Sequence, residues 1–119
     1  MTMNLESNLQ MFTGTEEYHR FSPLFRNIVL TDGAKYLADN AKCYWLMDII
    51  ASLKVVPQCK NEGFLTCDFK LNEGGGGVFT ASNGSKKMLY KQEIESTDFP
   101  IKELRLYFID NVILLPSEY

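Results

Sequence analysis

Apolar positions along the chain change their period twice. Leu5, Leu9 and Phe12 stand at i, i+4 and i+7 and stop at Gly14, which predicts a short N-terminal helix. From Tyr18 to Leu30 the apolar residues fall irregularly around Pro23, so residues 1–30 read as an ordered segment that lies on the domain and covers part of it. Thr31 or Asp32 is a good N-cap, because a side-chain oxygen there accepts from the unpaired amides of a first turn. Beyond it Ala34, Leu37, Ala38, Ala41, Tyr44, Trp45, Ile49 and Ser52 form one stripe at helical spacing. Tyr36, Cys43, Met47 and Ile50 widen the stripe, which predicts one long amphipathic helix over residues 31–54, ended by Val55-Val56-Pro57.

After a polar loop the period becomes two. Leu65, Cys67, Phe69 and Leu71 alternate with Thr66, Asp68 and Lys70, as a half-buried strand requires. Gly74 to Gly77 read as a flexible turn into a strand over Val78 to Ala81, and Asn83-Gly84 as a hairpin signal before a strand from Lys87 to Ile94. Asp110-Asn111 separates Glu103–Ile109 from Val112–Leu115 with the spacing of a two-residue turn. That turn sets Tyr107 opposite Leu114, Phe108 opposite Ile113 and Ile109 opposite Val112, which makes both faces of the hairpin apolar. Leu104, Leu106, Phe108, Ile113 and Leu115 suit the helix; Tyr107, Ile109, Val112 and Leu114 form a second surface that needs other cover.

These elements predict an α+β fold: one long helix packed on an antiparallel sheet of about five strands, in a meander with a C-terminal hairpin. The expected organisation is a single domain over 1–119, with a covering segment at 1–30, the long helix at 31–54 and the sheet at 63–116. A chain of 119 residues with 45% hydrophobic residues can bury its own core. Its net charge is −3, and its cations are dispersed with no run longer than Lys86-Lys87, which disfavours binding to a phosphate backbone. Neither a secretion signal nor a stretch of about 18 apolar residues stands in the sequence, so a cytoplasmic protein away from the membrane is expected.

Candidate chemistry is sparse. His19, between Glu17 and Arg20, is the single histidine and is suited to proton transfer near neutral pH. Asp48 stands at the edge of the helix stripe, where a carboxylate needs a partner, and Asp98 punctuates the segment before the last hairpin. No nucleophile or second ligand accompanies any of the three at a recognisable spacing, so no catalytic residue is assigned and no metal or other cofactor is expected. The three cysteines Cys43, Cys59 and Cys67 have spacings that suit neither zinc nor a redox pair, so free thiols are expected, with Cys59 the accessible one. Gly74 to Gly77 lack the lysine and hydroxyl of a phosphate loop.

Five words carry a resemblance: Asn8 to Thr15, Thr31 to Leu37, Trp45 to Ile50, Thr97 to Pro100 and Leu114 to Tyr119. Together they resemble a family of small uncharacterised bacterial proteins, also seen on phages and plasmids, which has no established activity and transfers no catalytic residue. The leading reading is a non-enzymatic interaction module with an unidentified protein partner. A homodimer through Tyr107, Ile109, Val112 and Leu114 stands slightly ahead of internal cover. The alternative is a small enzyme or ligand-binding domain with a pocket between helix and strands, using Asp48, His19 or Asp98. A nucleic-acid-associated regulator is weaker still.

Overall fold

The computed structural model describes residues 5–119; the first four residues of the expected covering segment lie outside them. The N-terminal helix forms as α1 (Leu5–Leu9). The predicted cap forms too, since the Thr31 hydroxyl accepts from the Ala34 amide at 3.2 Å and starts α2 (Asp32–Asn40). There the long helix ends early, because Lys42 takes a φ of 53°. This left-handed residue closes a Schellman motif, in which the Cys43 amide reaches back to the Ala38 carbonyl at 3.1 Å. A second helix, α3 (Tyr44–Ser52), and a 3-10 turn (Leu53–Val55) complete the stretch.

The expectation of one helix over 31–54 is therefore corrected, and its stripe with it. Below the break α2 buries Ala34, Leu37 and Ala38 as predicted. Above it the phase is reset: Cys43, Leu46, Met47, Ile50 and Ala51 are buried, Tyr44 is exposed, and Trp45 and Ile49 are only half-buried. Asp39 staples the joint, accepting from the Lys35 ammonium at 2.8 Å and from the Tyr44 phenol at 2.5 Å. Those bonds, Lys35 first, hold the Asp39 carboxyl below its ordinary range. Burial and the bond to Asp39 push Tyr44 up to about 12.

The sheet has seven strands rather than five, and it is mixed. Its strands are β1 (Tyr18–Arg20), β2 (Val29–Thr31), β3 (Phe64–Leu71), β4 (Gly77–Ser82), β5 (Met88–Ile94), β6 (Glu103–Ile109) and β7 (Val112–Leu114). In space they run β1-β2-β7-β6-β3-β4-β5, with β2 parallel to β7 and every other pair antiparallel. The N-terminal segment thus extends the sheet by two strands instead of simply lying over it. Short irregular strands of three residues carry no readable period, which is why β1 and β2 escape pattern analysis.

The last hairpin forms in the predicted register, with Tyr107, Phe108 and Ile109 opposite Leu114, Ile113 and Val112. Asp110 and Asn111 have φ of 47° and 69°, as a turn matched to strand twist requires. Between β4 and β5 the expected Asn83-Gly84 turn is wider. The Asn83 side chain accepts from the Ser85 and Lys87 amides, and Lys86 carries the positive φ.

One sheet face holds the core. Leu65, Cys67 and Phe69 of β3, Phe79 and Ala81 of β4, Leu106 and Phe108 of β6 and Ile113 of β7 are all buried on it. Helix α3 lies over this face, its Trp45 ring edge-on to Phe69 at 5.5 Å, and the Lys54 ammonium sits 6.0 Å from the Phe108 ring centre. The three thiols are free and buried. Burial pushes Cys43 up to about 12 and raises Cys59 and Cys67, so the expectation that Cys59 is accessible is corrected.

Candidate functional site

The three candidate carboxylate and imidazole groups go to different places. His19 points from β1 to α2, where its Nε2 lies 2.8 Å from Asp32 Oδ1. The other oxygen of Asp32 accepts from the Glu16 amide at 2.9 Å, and the Asp32 amide donates to the Thr15 hydroxyl at 2.8 Å. The bond to His19, ahead of the one from Glu16, holds the Asp32 carboxyl below its ordinary range. Its contribution to stability is therefore complete above that range and is lost as the pH falls through the lowered value. Both oxygens are engaged in fastening the N-terminal segment to the helix, so this pair positions chain rather than addressing a substrate. Asp48 is exposed on α3, and Asp98 is exposed in the connection between β5 and β6.

Beside the His19 pair the end of the chain docks on the same helix terminus. Glu118 accepts from the Thr31 hydroxyl at 2.6 Å and from the amides of Gly33 and Leu115, each at 3.0 Å. A Cβ on Gly33 would stand 2.6 Å from Leu115 and 2.7 Å from Glu118, so the absence of a side chain there is what admits the carboxylate. Asn8 donates to the Tyr36 phenol at 3.1 Å and the Phe12 and Tyr36 rings meet at 5.2 Å. Three of the five sequence words thus converge at the start of α2, while the other two meet where Trp45 touches Phe99 at 6.2 Å. Words that carry a resemblance here are words that hold the fold. Glu118→Ala should lower stability by about 2 kcal/mol, because charged hydrogen bonds to a helix terminus are lost together. The urea midpoint should fall at unchanged slope; a midpoint equal to that of the parent would remove Glu118 from the clasp.

The second apolar surface of the hairpin lies on the sheet face opposite α3. On it Tyr107, Ile109 and Val112 are half-buried, as is Phe64, which neither the hairpin pattern nor the β3 alternation singles out. Leu114 stands opposite Tyr107 on this same face and, at 8% exposure, is already covered within the chain. Tyr119 leans over this end of the face, with its ring 5.5 Å from Tyr107 and 5.6 Å from Phe64, and remains 76% exposed.

Strand register orders the face into rows. Val29, Val112, Ile109 and Phe64 make an apolar row, and Leu114, Tyr107, Thr66 and Ser82 the next. Arg105, Asp68, Thr80 and Lys91 make a third, and Glu103, Lys70, Val78 and Glu93 a fourth. In the third row Arg105 grips Asp68 with two bonds, Nε at 2.8 Å and Nη2 at 3.1 Å. A groove of about 410 Å³ opens along these rows, between Phe64, Tyr107 and Arg105 on one side and Asn83 and Lys86 on the other. A second, of about 290 Å³, lies between Leu9, Ile101 and Pro116. Neither groove is lined by His19, Asp48 or Asp98.

Among the described residues no three acidic, histidine or cysteine side chains cluster as metal ligands, and no helix is long and apolar enough to cross a membrane. The model of DUF6876, described as a family of unknown function, matches residues 3–119. Neither the curated proteins nor the solved structures include a match.

Proposed function

The chain belongs to the DUF6876 family, whose function is unknown, and from its geometry we propose a non-enzymatic interaction module that works through the open face of its sheet. The observation that carries this reading is the row Val29, Val112, Ile109 and Phe64 beside Tyr107 and Tyr119. On the face opposite α3 the first five of these side chains are half-buried, and Tyr119 is exposed. Each such side chain forgoes roughly 1.5–3 kcal/mol of burial when fully exposed, so a contiguous set of them marks a surface that is covered in use. The groove along the same rows offers a place for a partner's side chain. The resemblance of the five words supports a bacterial or mobile-element setting, and a cytoplasmic one is part of the same proposal.

The enzyme alternative needs polar groups converging in an apolar cleft. His19 is engaged with Asp32, and Asp48 and Asp98 lie exposed outside the grooves, which favours binding over chemistry.

A photoreactive phenylalanine analogue placed at Tyr107 tests the reading in the source cell, with the same analogue at exposed Asp48 on α3 as the control. Irradiation should give a discrete protein adduct from position 107 and none from position 48. Adducts from position 48 alone, or none from position 107, would overturn it.

A further inference from the structure

We infer that the open face pairs with a second copy of the chain about a two-fold axis that runs parallel to the strands, between β3 and β6. This rests on the interaction reading and adds the identity of the partner. Such a rotation lays β6 of each copy over β3 of the other while keeping each row against itself. Across the interface Arg105 then meets the partner's Asp68, and Glu103 meets the partner's Lys70. In the apolar rows Ile109 meets the partner's Phe64, and the Tyr107 hydroxyl the partner's Thr66. Along β3 and β6 every charge then faces its opposite, and one operation serves all four rows of these two strands at once.

The register supplies this complementarity. On β6 the signs alternate as Glu103 and Arg105, and on β3 as Asp68 and Lys70, with Lys70 opposite Glu103 and Asp68 opposite Arg105. Adjacent strands of opposite sign in both rows are what an axis between them needs. Lys70, Glu103 and Arg105 are exposed, and Arg105 spends only two of its five N–H donors on Asp68, leaving others for a neighbour. The two charged rows hold three cations, Lys70, Lys91 and Arg105, and three anions, Asp68, Glu93 and Glu103. Two charged rows with no net charge draw neither a polyanion nor a strongly basic partner, whereas their own copy matches them. Sheets packed face to face lie about 10 Å apart, a gap that arginine, lysine and glutamate side chains span from both sides.

Sedimentation velocity on the full chain at increasing concentration tests this, with Lys70→Glu and Glu103→Lys made separately and mixed. The parent should associate to a dimer, and each single variant should weaken association by about tenfold or more, since two like-charged contacts arise per dimer. An equimolar mixture of the two single variants should recover association, because each then presents the opposite sign to the other at both contacts. An ion pair within one chain cannot be repaired by mixing, so recovery identifies the contact as one between copies. Should either charge reversal fail to fold by circular dichroism, the neutral Lys70→Gln and Glu103→Gln variants take its place, and each should weaken association of a folded chain. A monomeric parent, or a mixture no better than its components, would overturn the second copy as partner. A monomeric parent that still gives an adduct with another protein from position 107 keeps the interaction reading and removes only this one.

Discussion

Gly76→Ala should destabilise the protein by roughly 3 kcal/mol, at the upper end for overpacking, although it adds one methyl group to a stretch of four glycines. A Cβ there would stand 2.2 Å from the Ile94 carbonyl oxygen and 2.6 Å from that of Glu95, both backbone atoms that cannot swing aside. The turn is not the flexible connection that its composition suggests. The Asn72 side chain accepts from the amides of Gly74 and Gly76 at 2.9 and 3.1 Å, and the Thr97 amide donates to the Gly75 carbonyl at 2.9 Å, which binds the turn to the segment after β5. Gly74 is the internal control, since its nearest neighbour to a Cβ is Asn72 at an ordinary 3.5 Å. Urea unfolding of Gly74→Ala should stay near the parent while Gly76→Ala falls well below it. Equal midpoints for the two variants would mean that the close approach at Gly76 does not exist in solution.

Trp45→Ala should cost about 3 kcal/mol, toward the lower end for a tryptophan truncation because the side chain is only half-buried. Its indole closes a trio with Phe69 at 5.5 Å and Phe99 at 6.2 Å, and those two rings meet at 5.3 Å, all near perpendicular. Removing it uncovers the far end of β3 and the connection that carries Phe99, and also forfeits two edge-to-face contacts. Trp45→Phe retains part of the trio and should recover about half of the loss. The comparison is made by the shift in urea midpoint at constant slope. A Trp45→Ala midpoint within error of the parent would mean that α3 does not lie on the sheet in this rotation.

The rotation of α3 separates two kinds of information. Local chemistry was legible in the sequence: the Thr31 cap, the Asp110-Asn111 turn and the alternation of β3 depend on residues within a few positions of one another, and the structure repeats them. The apolar stripe has the period of one helix because it continues through Lys42, and nothing in a lysine advertises a positive φ. Only the packing of α3 on the sheet, the Asp39 staple and the Schellman bond from Cys43 favour a break at that point. The candidate site divides in the same way. That Tyr107, Ile109 and Val112 share a face is legible because the hairpin register follows from a two-residue turn, whereas Phe64 and Tyr119 join them only through long-range pairing of β3 and the fold of the chain end.

His19 shows why pattern alone did not reach the polar junction. An imidazole shortly after two glutamates looks available for proton transfer, yet its partner Asp32 lies across a loop and serves as part of a helix start. Glu118, the densest hydrogen-bond acceptor of the junction, is separated from Thr31 and Gly33 by most of the chain. What the sequence by itself determined is the α+β class, the Thr31 cap, the Asp110-Asn111 turn and the apolar excess of the last hairpin, because these arise from periodicity and from contacts between near neighbours. Tertiary structure decided that β2 runs parallel to β7, that the helix breaks, that Leu114 is covered and that the charged rows alternate in sign. Each of these depends on which distant segments are brought side by side, and the free energy that selects among such pairings belongs to the whole buried sheet rather than to any one of its strands.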